Sequence, residues 1–215
     1  MPTTTDDQPD APPNTRRRAL LIALFSISAV VLVLDQASKA WAISSLVEGE
    51  RHDLVGKLLG LQLVFNPGAA LSIATGMTWV LTIVATAVIV VIVRASRRIG
   101  SWAWAVALGL LLGGALGNLI DRLFREPGLA SGEVVDFIAY ADWFVGNVAD
   151  IAIVTAAVLV VILAALGVHI DGTRDGHGKS EQDTEQDAQR DDQSVGDAPL
   201  SEQDAASTTT TEQNA

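Results

Sequence analysis

NVADIAIVTAAVLVVILAALGV, residues 147–168, contains an unbroken apolar run long enough to cross a bilayer, with a carboxylate placed at its third position. A helix needs about 20 predominantly apolar residues to span the hydrocarbon. An aspartate near a span centre costs about 2.5–3.5 kcal/mol, against about 0.3–0.6 kcal/mol returned by each large aliphatic residue. The Val, Leu and Ile of this run therefore carry Asp150 into the membrane, especially with Asp150 close to one end. Three further runs of the same kind occupy 19–41, 73–93 and 101–120, and none holds a proline. Trp41, Trp79, Trp102, Trp104 and Trp143 lie at or near the run ends, where amphipathic rings suit the headgroup level. The expected fold class is an all-α membrane protein of four transmembrane helices, with a small extracytoplasmic β element after the first span. That element falls in 46–65, where short, partly alternating apolar stretches sit among glycines.

The 215 residues carry a formal net charge of −11, but residues 171–215 contribute −9 of it, with twelve acids against Arg174, Lys179 and Arg190. Such a segment has too few large apolar residues to offset its ordering entropy. The expected organisation is a disordered cytoplasmic arm over 1–18, a four-span domain over 19–170 and a disordered acidic cytoplasmic tail over 171–215. The absence of cysteine rules out disulfides, thiol nucleophiles and Cys-ligated zinc. His52, His169 and His177 are scattered, so no metal site and no cofactor are expected. Nucleic acid is not expected as a partner either.

Arg16–Arg18 precede the first span, and Arg94, Arg97 and Arg98 crowd the connection between the second and third. The positive-inside rule puts both groups, and both termini, in the cytoplasm. Arg16–Arg18 followed by an apolar stretch and Ser38-Lys39-Ala40 imitate a cleavable signal peptide, yet the run is long for one and three more spans follow. With this threading the polar motifs gather at the outer face: DQASK (35–39), NPGAALS (66–72), GNLIDR (117–122), VVDF (134–137) and NVAD (147–150).

Asn147 fits a helix N-cap with Asp150 three residues on. Asp35 and Lys39, four apart, suit an interfacial salt bridge worth under about 1 kcal/mol. Asn118 and Arg122 share a helical face and could both address a passing peptide, while Asp121 can pair locally. Gly109, Gly113 and Gly117 form a small-xxx-small packing stripe. Two carboxylates about 4 Å apart at an effective dielectric near 20 repel by about 4 kcal/mol, so a pair drawn from Asp136, Asp142 and Asp150 would hold one proton between them. Such a dyad can both take a proton from water and give one to a leaving group. The residue chemistry leaves open which two meet.

Taken in order on four spans, the five motifs closely resemble the lipoprotein signal peptidases, the bacterial signal peptidase II family, over about residues 19–168. The resemblance implies an intramembrane aspartyl endopeptidase of the bacterial plasma membrane, monomeric, with its active site near the outer face. Its partners would be membrane lipid and diacylglyceryl-modified prolipoproteins, cut before the modified cysteine. It assigns catalysis to Asp136 and Asp150, and supporting or substrate-binding roles to Asp35, Lys39, Asn66, Asn118, Asp121, Arg122 and Asn147. Leu71 and Gly146 stand where the family usually has Phe, which bears on pocket shape rather than chemistry. The competing readings are a small proton-coupled transporter and a non-catalytic lipoprotein-binding factor.

Overall fold

The computed structural model describes residues 13–68 and 78–175. Four long helices, α1 (Pro13–Ser45), α2 (Thr78–Ser96), α3 (Trp102–Phe124) and α4 (Val148–Ala165), are each long and apolar enough to cross a membrane. The start expected for the second span at 73, and Ala69–Ser72 of the second motif with Leu71, lie outside the described residues. So do 1–12 of the expected arm and 176–215 of the expected tail. Residues 13–18 of that arm are helical, with Pro13 at the first position, where its missing N–H costs nothing. Residues 171–175 form a turn after α4, and Val168 bridges to Arg174.

α3 is the central helix, mostly buried, whereas α1, α2 and α4 are mostly exposed along their spans. Its glycines explain why. Gly109 and Gly113 lie against Leu24, Ile27, Ser28 and Val31 of α1, Gly114 lies against Ala149 and Ile153 of α4, and a Cβ on Gly117 would collide with the Asp35 carboxylate. Small residues let backbones approach where lipid supplies no hydrophobic drive between helices. One apolar cluster, with Leu20, Leu24, Ile92, Trp104, Leu108 and Leu163 among its members, ties all four helices together toward one end of the bundle. The outward faces, Val33, Val91 and Val161 among them, are apolar and exposed, as lipid-facing surfaces must be.

At the other end stands a four-stranded antiparallel sheet in the order β1 (Arg51–Val55), β2 (Leu59–Asn66), β3 (Val134–Tyr140), β4 (Phe144–Gly146). The β element expected after the first span is thus only half of the sheet. The other half comes from 134–146, which reads in sequence as a loop folding back. Val134 to Phe137 are buried on both faces of the strand, so the segment shows no apolar–polar alternation to betray it. Phe137 and Val135 pack with Ala42 and Leu63 in a second apolar cluster, joining the sheet to the end of α1.

Gly117→Ala should cost about 1–3 kcal/mol, the usual range for overpacking, because its new methyl meets a fully buried carboxylate. Unfolding of the purified protein in detergent checks it, and a variant as stable as the parent would contradict the packing described.

Candidate active site

The end of α1, the end of α3, the start of α4 and strand β3 meet around a buried ammonium group. Lys39 Nζ lies 2.8 Å from Asp35 Oδ2 and 2.8 Å from Asp121 Oδ2, and all three side chains have no exposure. It also donates to Asn118 Oδ1 at 3.0 Å. The expectation of an interfacial Asp35–Lys39 pair is therefore corrected: this is a buried three-membered ion cluster. Burial of these charges is tolerable because nearly every donor and acceptor is used. Gln36 Nε2 donates to Asp35, to the Gly117 carbonyl and to Asp121, and Arg125 Nε donates to Asp121 Oδ1 at 2.7 Å.

The cluster reaches the flanking backbone. Asp35 Oδ1 accepts from the Ala149 N–H at 2.9 Å, and Asp121 Oδ2 accepts from the Val135 N–H at 3.2 Å. Those are the residues immediately before Asp150 and Asp136.

Asp150 sits in the first turn of α4, where Asn147 forms a reciprocal capping box with it: Asp150 N–H donates to Asn147 Oδ1 at 3.0 Å, and Asn147 N–H to Asp150 Oδ2 at 3.1 Å. Asn118 Nδ2 donates to the other oxygen, Oδ1, at 3.0 Å. Gly146 backs onto this carboxylate, since an added Cβ would lie 3.0 Å from Oδ2. Asp136 faces Val64 across the β2–β3 ladder, which puts Asn66 in the diagonal position on the same face. Asn66 Nδ2 donates to Asp136 Oδ2 at 2.8 Å, and Asn147 Nδ2 to Oδ1 at 2.6 Å. Asn147 Nδ2 also reaches Asn118 Oδ1 at 3.2 Å, so two amides link the Asp136 and Asp150 carboxylates.

The Asp136 carboxyl is pushed up to about 6: burial is the largest cause and the nearby Asp150 charge adds to it, while the donors Asn66 and Asn147 together with Lys39 act against the rise. Arg122 lies in the field of Asp136, Asp121 and Asp150, and its Nη1 is buried without a hydrogen-bond partner among the described residues. Asn118, expected to address a peptide, instead has its oxygen and its nitrogen engaged inside the cluster. Asp142 is on the surface, 90% exposed and 3.6 Å from Arg51 Nη1, away from this site.

All nine residues singled out from the sequence gather here. Gln36 and Arg125 were missed. Arg125 stands four residues after Asp121, the same helical spacing that marks Asp35 with Lys39. Gln36 carried no signal beyond its place in DQASK.

A profile described as signal peptidase (SPase) II matches residues 27–166. The chain belongs to the signal peptidase II family. It is 50% identical over 175 residues, 80% of its length and 87% of the relative's, to a lipoprotein signal peptidase of Rhodococcus jostii (strain RHA1). The lipoprotein signal peptidase of Mycobacterium tuberculosis (strain ATCC 25618 / H37Rv) is 46% identical over 164 residues, covering 76% of this chain and 80% of that one. A solved bacterial membrane enzyme superposes with a TM-score of 0.60 at 26% identity, covering 74% of this chain and 92% of that one. By family, then, this chain is a multi-pass membrane peptidase that removes signal peptides from prolipoproteins.

Lys39→Met should destabilise the protein by about 3–5 kcal/mol, the usual cost of stranding a buried charge, because Asp35 and Asp121 lose their shared cation. Chemical unfolding in detergent reads it; a loss below about 1 kcal/mol, the value of an exposed pair, would contradict the buried cluster.

Proposed function

We propose that this chain is an aspartyl endopeptidase that removes signal peptides from prolipoproteins, cutting before the diacylglyceryl-modified cysteine, with Asp136 and Asp150 as its catalytic pair. The observation that carries the reading is the linkage of the two carboxylates through Asn147 and Asn118, with Asp136 buried and its carboxyl raised to about 6. A charged Asp150 takes a proton from a water held between the pair. The water oxygen attacks the peptide carbonyl, and protonated Asp136 donates to the oxygen that becomes negative. Collapse of the tetrahedral intermediate returns a proton to the leaving amine and restores one proton to the pair.

The supporting residues divide by what they touch. Asn66 and Asn147 hold Asp136, and Asn118 holds Asp150. Asp35, Lys39 and Asp121 fix the backbone on which both aspartates ride. Arg122 has the open N–H and is the residue suited to bind a substrate carbonyl.

The peptidase domain is the four-span region 19–170, acting as a monomer in the bacterial plasma membrane. Arg17 Nη2 donates to the Arg97 carbonyl at 2.8 Å, so the two arginine groups share the end opposite the pair. By the positive-inside rule that end and both termini are cytoplasmic, and the pair opens near the outer face. A substrate whose acyl chains lie in the bilayer presents its scissile bond at that depth.

Asp136→Asn and Asp150→Asn should each lower cleavage of a lipidated prolipoprotein by about 10²- to 10⁴-fold, the range for general acid–base groups, while both proteins remain folded. Purified protein and a gel-shift cleavage assay test it. Undiminished cleavage would remove the aspartyl assignment, and no cleavage by the parent would favour a binding factor.

The pH profile follows from the raised carboxyl. Asp136 holds its proton below about 6 and loses it above, so kcat/KM should decline on the alkaline side from about that pH. Asn66 donates to the charged form, so Asn66→Ala raises the carboxyl further and moves this limb to higher pH. A limb that moves down, or stays put, would contradict the assigned hydrogen bond.

A further inference from the structure

The end of the bundle opposite the aspartate pair contains a cleft of about 730 Å³ between the last turns of α2 and the segment that follows α4. Arg94, Arg97 and Arg98 rim it. Val91, Ala95 and Ile170 supply apolar lining, with Val91 continuous with the lipid-facing side of α2.

The wall formed by the segment after α4 is a built one. Trp104 Nε1 donates to the Val168 carbonyl at 2.9 Å, the Gly100 N–H donates to the Ile170 carbonyl at 2.9 Å, and Val168 bridges to Arg174. Asp171 packs so closely on Gly100 that a side chain there has no room. The residues making this wall, 168–174, lie beyond the stretch that matches the family profile, which ends at 166.

Among the described residues the cleft lining carries an excess of positive charge, three arginines against one acid. Among the described residues the three arginines are exposed and make no ion pair. Arg17 adds a fourth guanidinium against the Arg97 carbonyl. His169 also lines the cleft. Its one acid, Asp171, has an Oδ1 occupied by the Thr173 N–H at 3.0 Å and hydroxyl at 2.7 Å.

We propose that this cleft binds one anionic glycerophospholipid from the leaflet at that end, the phosphate between Arg94 and Arg98 and an acyl chain along Val91 and Ala95. A cationic rim at the headgroup level above an apolar lining is complementary to such a lipid, whereas a soluble anion would have no use for the apolar part. The inference rests on the four-span reading and is independent of the aspartate pair.

The test is a titration of the full chain in a neutral detergent with phosphatidylglycerol, read by native mass spectrometry. One lipid should bind, and more tightly than phosphatidylcholine. Each arginine near an anionic headgroup is worth about fivefold, so R94Q/R98Q should weaken binding by tenfold or more. R16Q/R18Q, which removes the same charge from the same end outside the cleft, should weaken it by less than about twofold. Ile170→Glu, which leaves every arginine in place, should give the same loss as R94Q/R98Q and stands in if that variant fails to fold. Equal losses in the two arginine pairs would mean diffuse attraction and overturn the site. So would displacement by millimolar inorganic phosphate, which would make it a site for a free anion. Binding that emerges only when residues 176–215 are removed would assign the cleft to the chain's own acidic segment. Prolipoprotein cleavage by all three variants should stay at the parent level, which separates failure here from failure of the peptidase reading.

Discussion

The ammonium group of Lys39, enclosed without exposure between Asp35 and Asp121, is the constraint on which the rest depends. A lone buried charge is prohibitively costly, so cation and acids must stay together. Each acid also accepts from a backbone N–H, Asp35 through its second oxygen from Ala149, and Asp121 from Val135 through the same Oδ2 that holds Lys39. The next residues are Asp150 and Asp136. One interaction therefore fixes a helix start and a strand that are remote in sequence, and does so at the residues adjacent to the two aspartates. The glycines of α3 serve the same end, because a bulkier residue at 117 would expel Asp35 from its place.

Charge balance gives the arrangement its chemical meaning. The site holds three cations, Lys39, Arg122 and Arg125, and four acids, Asp35, Asp121, Asp136 and Asp150. One proton on the acids makes the whole neutral, which burial favours. Asp136 is the natural holder of that proton, being the more buried member of the pair. Arg122 has a buried Nη1 with no hydrogen-bond partner among the described residues.

Much of this arrangement is legible in the amino-acid sequence alone. Uninterrupted apolar runs mark the four helices, and the threading brings five polar motifs to one end. The capping relation of Asn147 and Asp150 is visible in their spacing. The features that stay hidden do so for physical reasons. VVDF is buried on both faces, so strand β3 shows no period of two. The i, i+4 spacing of Asp35 and Lys39 is the same for a surface pair and a buried one, and only the third partner, Asp121 from another helix, tells them apart. Asn118 could point toward a substrate or inward, and its inward role depends on Lys39, Asn147 and Asp150 arriving together. Asp142 and Asp136 are equivalent as sequence; the turn after β3 exposes the first and the strand buries the second.

The central claim is that Asp136 carries the shared proton of the pair. Infrared titration of the purified protein tests it most directly, because an ordinary carboxyl has its midpoint nearer pH 4. A protonated carboxyl band should disappear with a midpoint near 6 and be missing in Asp136→Asn. A spectrum with no carboxyl titrating in that range, or one whose band survives the substitution, would contradict it.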